Sequence, residues 1–198
     1  FLLDPPGAVA DTKGNLLSTK LDDYALATRL SFFIWSSGPD EALMEAARRG
    51  ELSNPAALRA QVERMLDSPK AHRFTVNFTG QWLDLRKIDF TIPDPQLYPD
   101  FDYLLLAAMP QETERFFEEV LRKDLSLLCF VDSDWSMLNE RLARLYGIPG
   151  VEGNALRRVS LPANSHRGGV MTQASVLKVT ADGTRTSPVL RGKWILER

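Results

Sequence analysis

The sequence predicts a mostly α-helical fold, an irregular bundle of about seven to nine helices with at most a small two-stranded β piece. Three observations point there. Helix-start devices that pair a capping residue with proline recur at Ser37-Gly38-Pro39-Asp40, Asn54-Pro55 and Ser68-Pro69, the pattern of short antiparallel helices joined by tight turns. Apolar residues between these starts repeat at helical rather than alternating spacing. The 198 residues, 44% hydrophobic and 25% charged, have the balance of an ordinary globular chain, long enough to build a core without disulfides.

Taken in order, Leu21–Trp35 reads as the first helix, with Leu21, Ala25, Thr28, Phe32 and Trp35 on one face and Asp22 and Asp23 in the first turn, where the helix dipole favours acids. A short helix after Pro39 ends at Gly50, Asn54-Pro55 opens Ala56–Leu66, and Ser68-Pro69 opens a helix through Phe74, Phe78 and Trp82. Residues 85–100 carry Pro93, Pro95 and Pro99 and read as an extended connection. A long helix follows from about Asp102 to Lys123, with Leu105, Met109, Phe116, Phe117, Val120 and Leu121 as its apolar positions. Pro110 within it is expected to kink or split it, and Glu118–Arg122 and Glu119–Lys123 are favourable pairs on its wet face. Leu125–Val131 reads as a strand or a buried loop, and Ser136 as the cap of Met137–Tyr146, ended by Gly147. Arg158–Leu161 suggests a strand, Val170–Val179 a helix, Asp182-Gly183 a turn, and Ser187-Pro188 the start of a last helix. Leu30, Phe33, Trp35, Phe78, Trp82, Phe116 and Leu142 are the expected core.

Composition excludes several classes. One cysteine, Cys129, and two histidines, His72 and His166, leave no disulfide framework, no Cys-rich zinc site and no self-contained c-type haem motif. No charge-free run approaches the ~20 residues needed to span a bilayer. Phe1 opens an apolar stretch without an initiator Met, which reads as a fragment or a processed product. The net charge of −2 hides an asymmetry: residues 1–156 carry 24 acidic and 16 basic side chains, residues 157–198 carry two and eight. The plain expectation is a basic tail docked on the acidic body. Nucleic acid is not expected as a partner, because the body repels phosphates and Trp194 is the tail's single aromatic residue.

The chain has no Glu-x-x-His, no Gly-x-Ser-x-Gly and no Walker-type loop. Glu112, Glu114, Glu118 and Glu119 crowd one helix. Glu114 and Glu118 could pair at i,i+4, but a solvated face is the plainer reading. Arg167-Gly168-Gly169 could bind an anion through backbone amides, or form a turn that needs glycine. Cys129 reads as a buried thiol, and no residue as catalytic or metal-ligating.

Two stretches carry a family resemblance. Leu21–Ser37 with Pro39-Asp40, Glu112-Thr113 with Phe116-Phe117, and Leu138–Ala143 with Tyr146-Gly147-Ile148-Pro149 are similar to the domain of unknown function 1592. His166–Leu177 followed by Thr184–Trp194 resembles the N-terminal part of the domain of unknown function 1588. The resemblance implies a helical domain over 1–156 and a basic segment over 157–198 packed on the same core. It implies an origin in planctomycete-type multidomain, cytochrome-c-associated proteins that are exported to the periplasm. In such relatives the second domain continues past Arg-Gly-Lys-Trp into a Cys-x-x-Cys-His haem motif. No cofactor is then expected within this chain, but a c-type haem in the parent protein beyond Arg198. The partner is the remainder of that parent, its C-terminal haem-type segment, with no nucleic acid and no membrane span.

The function expected on these grounds is that of an accessory helical module of an exported, haem-c-containing redox-type protein, without a complete active site of its own. The alternatives are a structural or protein-interaction module with no redox role and a hydrolase acting on polymers, which only the carboxylate count supports. Arg167, Arg185 and Arg191 are the candidate cofactor-contacting residues, as possible partners of haem propionates, because a guanidinium fork matches a carboxylate.

Overall fold

The computed structural model describes the backbone of residues 8–10 and 16–19, and residues 21–197 in full. The chain divides into two compact units, one up to Phe74 and one from Thr75. The described residues hold eight α-helices and two two-stranded antiparallel sheets, so the fold is mostly α.

In the first unit, β1 (Ala8–Ala10) pairs with β2 (Leu16–Thr19), Ala8 opposite Thr19. Helix α1 (Asp23–Trp35) is capped by the Asp22 carboxylate, which accepts from the Ala25 N–H at 2.7 Å. Its buried face is Ala27, Ser31, Ile34 and Trp35; of the expected stripe only Trp35 is buried, and Phe32 is exposed. The run Phe32-Phe33-Ile34-Trp35 is apolar all round, so periodicity could not fix the face. Ser31 can turn inward because its hydroxyl donates to the Ser37 carbonyl at 2.8 Å.

Asp23 caps across space, accepting from the Leu52 N–H at 2.8 Å and the Ser53 hydroxyl at 2.7 Å. Helix α2 (Glu41–Arg48) is capped by Asp40, so Pro39 precedes the cap instead of opening the helix. Arg64 binds both Asp40 oxygens, at 2.7 and 3.0 Å. Helix α3 (Pro55–Asp67) starts as predicted, with Asn54 capping and Pro55 in the first turn. The core gathers Ala27, Ile34, Trp35, Leu43, Leu52 and Met65, and the Trp35 indole N–H donates to the Met65 carbonyl at 2.9 Å.

Helix α4 (His72–Trp82) runs across the division. In the second unit, α5 (Tyr103–Arg122) is one unbroken helix despite Pro110. The hydrogen bond lost at Pro110 is outweighed by burial of the same helical face on both sides of it, from Leu105 to Val120. The segment expected to be helical from Met137 is instead β3 (Trp135–Leu138), all four residues buried, paired antiparallel with β4 (Arg157–Ser160). Asn139, not Ser136, then caps α6 (Glu140–Tyr146), which ends at Gly147 as predicted.

The helix expected over Val170–Val179 is a 3₁₀ turn, Val170–Thr172, then α7 (Ala174–Val179), broken at the extended Gln173. Helix α8 spans Pro188–Glu197. Leu125–Val131 forms neither strand nor buried loop but holds a 3₁₀ turn, Leu127–Phe130, with Leu127, Leu128 and Val131 exposed and Cys129 half-buried.

Two packed clusters fill this unit. One joins Phe116, Trp135, Val170, Val176 and Trp194; the other joins Leu105, Met109, Leu138, Leu142 and Ala174. Residues on both sides of the boundary expected at 156/157 therefore contribute to the same cores. Gly169, at φ +66°, lies against the 127–130 turn, and a Cβ there would stand 2.5 Å from the Phe130 and Val131 carbonyl oxygens. No described helix is long and apolar enough to cross a membrane.

Of the expected core residues, Trp35, Phe116 and Leu142 are buried, and Leu30 and Trp82 half-buried. Phe33 and Phe78 are exposed at 63% and 39%, their rings covered only in part by neighbouring aromatics. Trp35→Ala is expected to cost about 3–5 kcal/mol, and Phe33→Ala about 1 kcal/mol or less. Urea unfolding of the two variants checks this; equal losses contradict the packing of the first unit.

Candidate functional site

The face of α5 that carries Leu105, Met109, Phe116 and Val120 also carries one acid, Glu112. Its carboxyl is wholly buried. The Ser136 hydroxyl on β3 donates to Oε1 at 2.7 Å, and the Tyr146 phenol at the end of α6 donates to Oε2 at 2.5 Å. The same phenol oxygen accepts the Ala174 N–H of α7 at 2.7 Å. The Arg167 guanidinium lies 3.7 Å from the centroid of the Tyr146 ring and donates to the Thr172 carbonyl at 2.7 Å. Beside this network the buried Thr113 hydroxyl meets Gln173 Oε1 and the Ser175 hydroxyl, both at 2.6 Å. Gln173 Nε2 is buried without a partner among the described residues. Glu112, Tyr146, Arg167 and Gln173 border a cavity of about 10 Å³.

Burial pushes the Glu112 carboxyl up to about 7, against the pull of the Tyr146 and Ser136 hydrogen bonds and the Arg167 charge. Burial also raises the Tyr146 phenol, helped by the neighbouring Glu112 charge. The solvated-face reading therefore fails for Glu112. Nor are its neighbours freely solvated: Glu114 is half-buried and its carboxyl is pushed up by burial, while Glu118 and Glu119, 14% and 17% exposed, pair with Arg122 at 3.9 Å and Lys123 at 2.8 Å. A signal for Glu112 was present in the sequence: it is the one acid in register with Leu105, Met109, Phe116 and Val120.

Tyr146 and Arg167 also line a cleft of about 880 Å³. Phe101, Leu105, Met109, Leu145 and Leu177 give it apolar walls, and Arg141, Arg144, Arg167, Lys178, Arg185 and Arg191 surround them. All three arginines singled out from the sequence thus border one cavity. Their holding groups differ. Arg185 pairs with Asp182 at 3.5 Å on the rim, whereas Arg191 donates to the hydroxyls of Thr180 at 3.2 Å and Thr186 at 2.5 Å. His166 borders a neighbouring cavity of about 560 Å³ that shares Tyr146, Arg167 and Leu177.

The basic tail does not dock broadly on body carboxylates. Among its described cations only Arg158 forms such a pair, with Glu119 at 3.4 Å. No three His, Cys, Asp or Glu side chains among the described residues cluster as metal ligands.

Between pH 4.5 and 7 the native state binds a proton at Glu112 that the unfolded chain releases, so stability falls as pH rises through this window. The expected loss is up to about 3 kcal/mol. Glu112→Gln is expected to remove that slope; urea midpoints measured for both proteins across the window check it, and parallel profiles contradict it.

The model for the protein family of unknown function DUF1588, labelled PSCyt3, matches residues 167–198. That for the protein family of unknown function DUF1592, labelled PSD4, matches residues 21–148. No curated protein and no solved structure matches the chain significantly. Glu112, Ser136 and Tyr146 lie in the first matched segment, and Arg167, Gln173 and Ala174 in the second, so the buried network ties the two together. With well over half of its residues matched by the first model, the chain belongs to the DUF1592 family of proteins of unknown function.

Proposed function

We propose that the chain is an accessory helical module of an exported, haem-c-containing multidomain protein of redox type, and that its second unit receives an anionic group of that protein. The observation that carries this reading is the placement of Arg167, Arg185 and Arg191 on the lining of one apolar-walled cleft. The label PSCyt3 on the second family adds support for a cytochrome association.

The cleft lining fits the edge of a haem. Arg167, Arg185 and Arg191 suit its propionates, and Leu105, Met109 and Leu177 suit the ring. The cleft lining holds no histidine or cysteine, so the thioether bonds and the proximal ligand would come from a Cys-x-x-Cys-His motif elsewhere in the parent. Such a haem would supply one-electron transfer. This chain's residues would hold and orient its acidic edge and screen it from water.

The test uses the full-length parent protein. A Soret band retained after denaturation and solvent extraction is expected. The Arg167→Gln/Arg191→Gln double variant is expected to lower the haem reduction potential, because removing nearby cations favours the more positive, oxidised iron. A parent without covalent haem overturns the redox reading and leaves an interaction module. A potential unmoved by the double variant overturns the arginine contact.

A further inference from the structure

The cations of the cleft fall into two groups. Arg141, Arg144 and Arg185 have carboxylate partners in Asp102, Glu140 and Asp182. Arg167, Lys178 and Arg191 have none within 4.0 Å among the described residues. Each is held by neutral acceptors instead: Arg167 by the Thr172 carbonyl, Arg191 by the two threonine hydroxyls, and Lys178 by the carbonyls of Ile88 and of Thr91, the latter at 2.6 Å. Lys178 is only 9% exposed. Burial lowers its ammonium pKa, and Asp89 acts on it only from beyond ion-pair distance.

A buried cation with hydrogen bonds but no counter-charge is a costly arrangement in a fold chosen for stability alone. Lys178 is such a cation, and the half-buried Arg167 and Arg191 join it without a described carboxylate within ion-pair distance; around one cavity, whose lining acids are Asp100 and the Arg141-paired Asp102, the three create a local demand for negative charge. Each guanidinium has five N–H donors on three nitrogens; that of Arg167 uses one nitrogen in its hydrogen bond to Thr172, and that of Arg191 uses two. Both forks are thus held in place with donors to spare. The apolar walls and the volume of about 880 Å³ match the dimensions of small-molecule sites.

We infer that this cleft binds an amphipathic carboxylate: its acid group sits between Arg167, Lys178 and Arg191, and its apolar body lies along Leu105, Met109 and Leu177. The inference rests on the anion-receiving cleft of the proposed function but does not depend on haem. The same chemistry could be presented by a free organic acid or by a carboxylate attached to the parent protein, and the free acid is what the test below supplies.

Isothermal titration of the 198-residue chain with decanoate, decanol and inorganic phosphate separates the components. Decanoate is expected to bind with one-to-one stoichiometry, and decanol at least about tenfold more weakly, the scale of one hydrogen bond to a charged group. Phosphate is expected not to displace decanoate. Arg191→Gln and Arg167→Gln are each expected to weaken decanoate about tenfold, while Arg157→Gln on β4, outside the cleft, leaves binding unchanged. Equal affinity for decanol, displacement by phosphate, no decanoate binding, or indifference to both arginine variants overturns the inference. The ligand series on the unaltered chain stands even if a variant folds poorly. Decanoate failing while the parent retains covalent haem overturns this inference alone; decanoate binding with no haem in the parent overturns the redox reading alone.

Discussion

The burial of one carboxyl group governs the architecture of the second unit. Glu112 is removed from water on a helix face that is otherwise apolar, a placement that costs several kcal/mol unless each oxygen is satisfied. Two hydroxyls satisfy it, and each fixes an element. Ser136 must lie on β3 facing α5, and Tyr146 must end α6 at the depth of the carboxyl. Tyr146 then reaches α7 through the Ala174 N–H and carries Arg167 on its ring. One acid thereby sets the relative positions of three elements and a loop. The segments that two separate family models describe are joined through it, which explains why the boundary between them is not a boundary in the packing.

Charge is used differently in the two units. In the first, Asp22, Asp23 and Asp40 cap helices or turns, and Arg64 neutralises Asp40, so these acids act as structural fasteners. In the second, several cations are anchored by uncharged groups and surround an apolar cleft. An arrangement that keeps arginines in place while leaving part of their donor capacity unused suits recognition better than stability, because an internal ion pair would have held the same side chains at least as firmly.

Much of the fold was legible in the sequence. The Asn54-Pro55 start, the Gly147 stop and the Glu119–Lys123 pair are local devices whose chemistry acts within a few residues, and each is found as read. The misreadings are tertiary. The four residues of β3 have a helix-compatible composition, but Trp135 stacks on Phe116 at 4.3 Å and Ser136 is held by Glu112, contacts no local pattern reveals. Pro110 looked disruptive because its local cost is plain while the burial that offsets it is not. At the site, arginine convergence was expected from the family resemblance and the glycine-flanked Arg167. The cleft's remaining cations and the role of Tyr146 depend on folding that brings residues 101–109, 141–146 and 167–191 together. Glu112 was read with its neighbours as solvated, although its register with an apolar stripe was the signal that could have set it apart.

The central claim is that the Glu112 carboxyl is buried and lies within the electrostatic reach of Arg167. A ¹³C NMR titration of that carboxyl measures both at once. The account predicts a midpoint near 7 in the unaltered chain and a higher one in Arg167→Gln, since the guanidinium's charge favours the ionised form. A midpoint near 4.5, the ordinary carboxylate value, or one indifferent to Arg167, would contradict it.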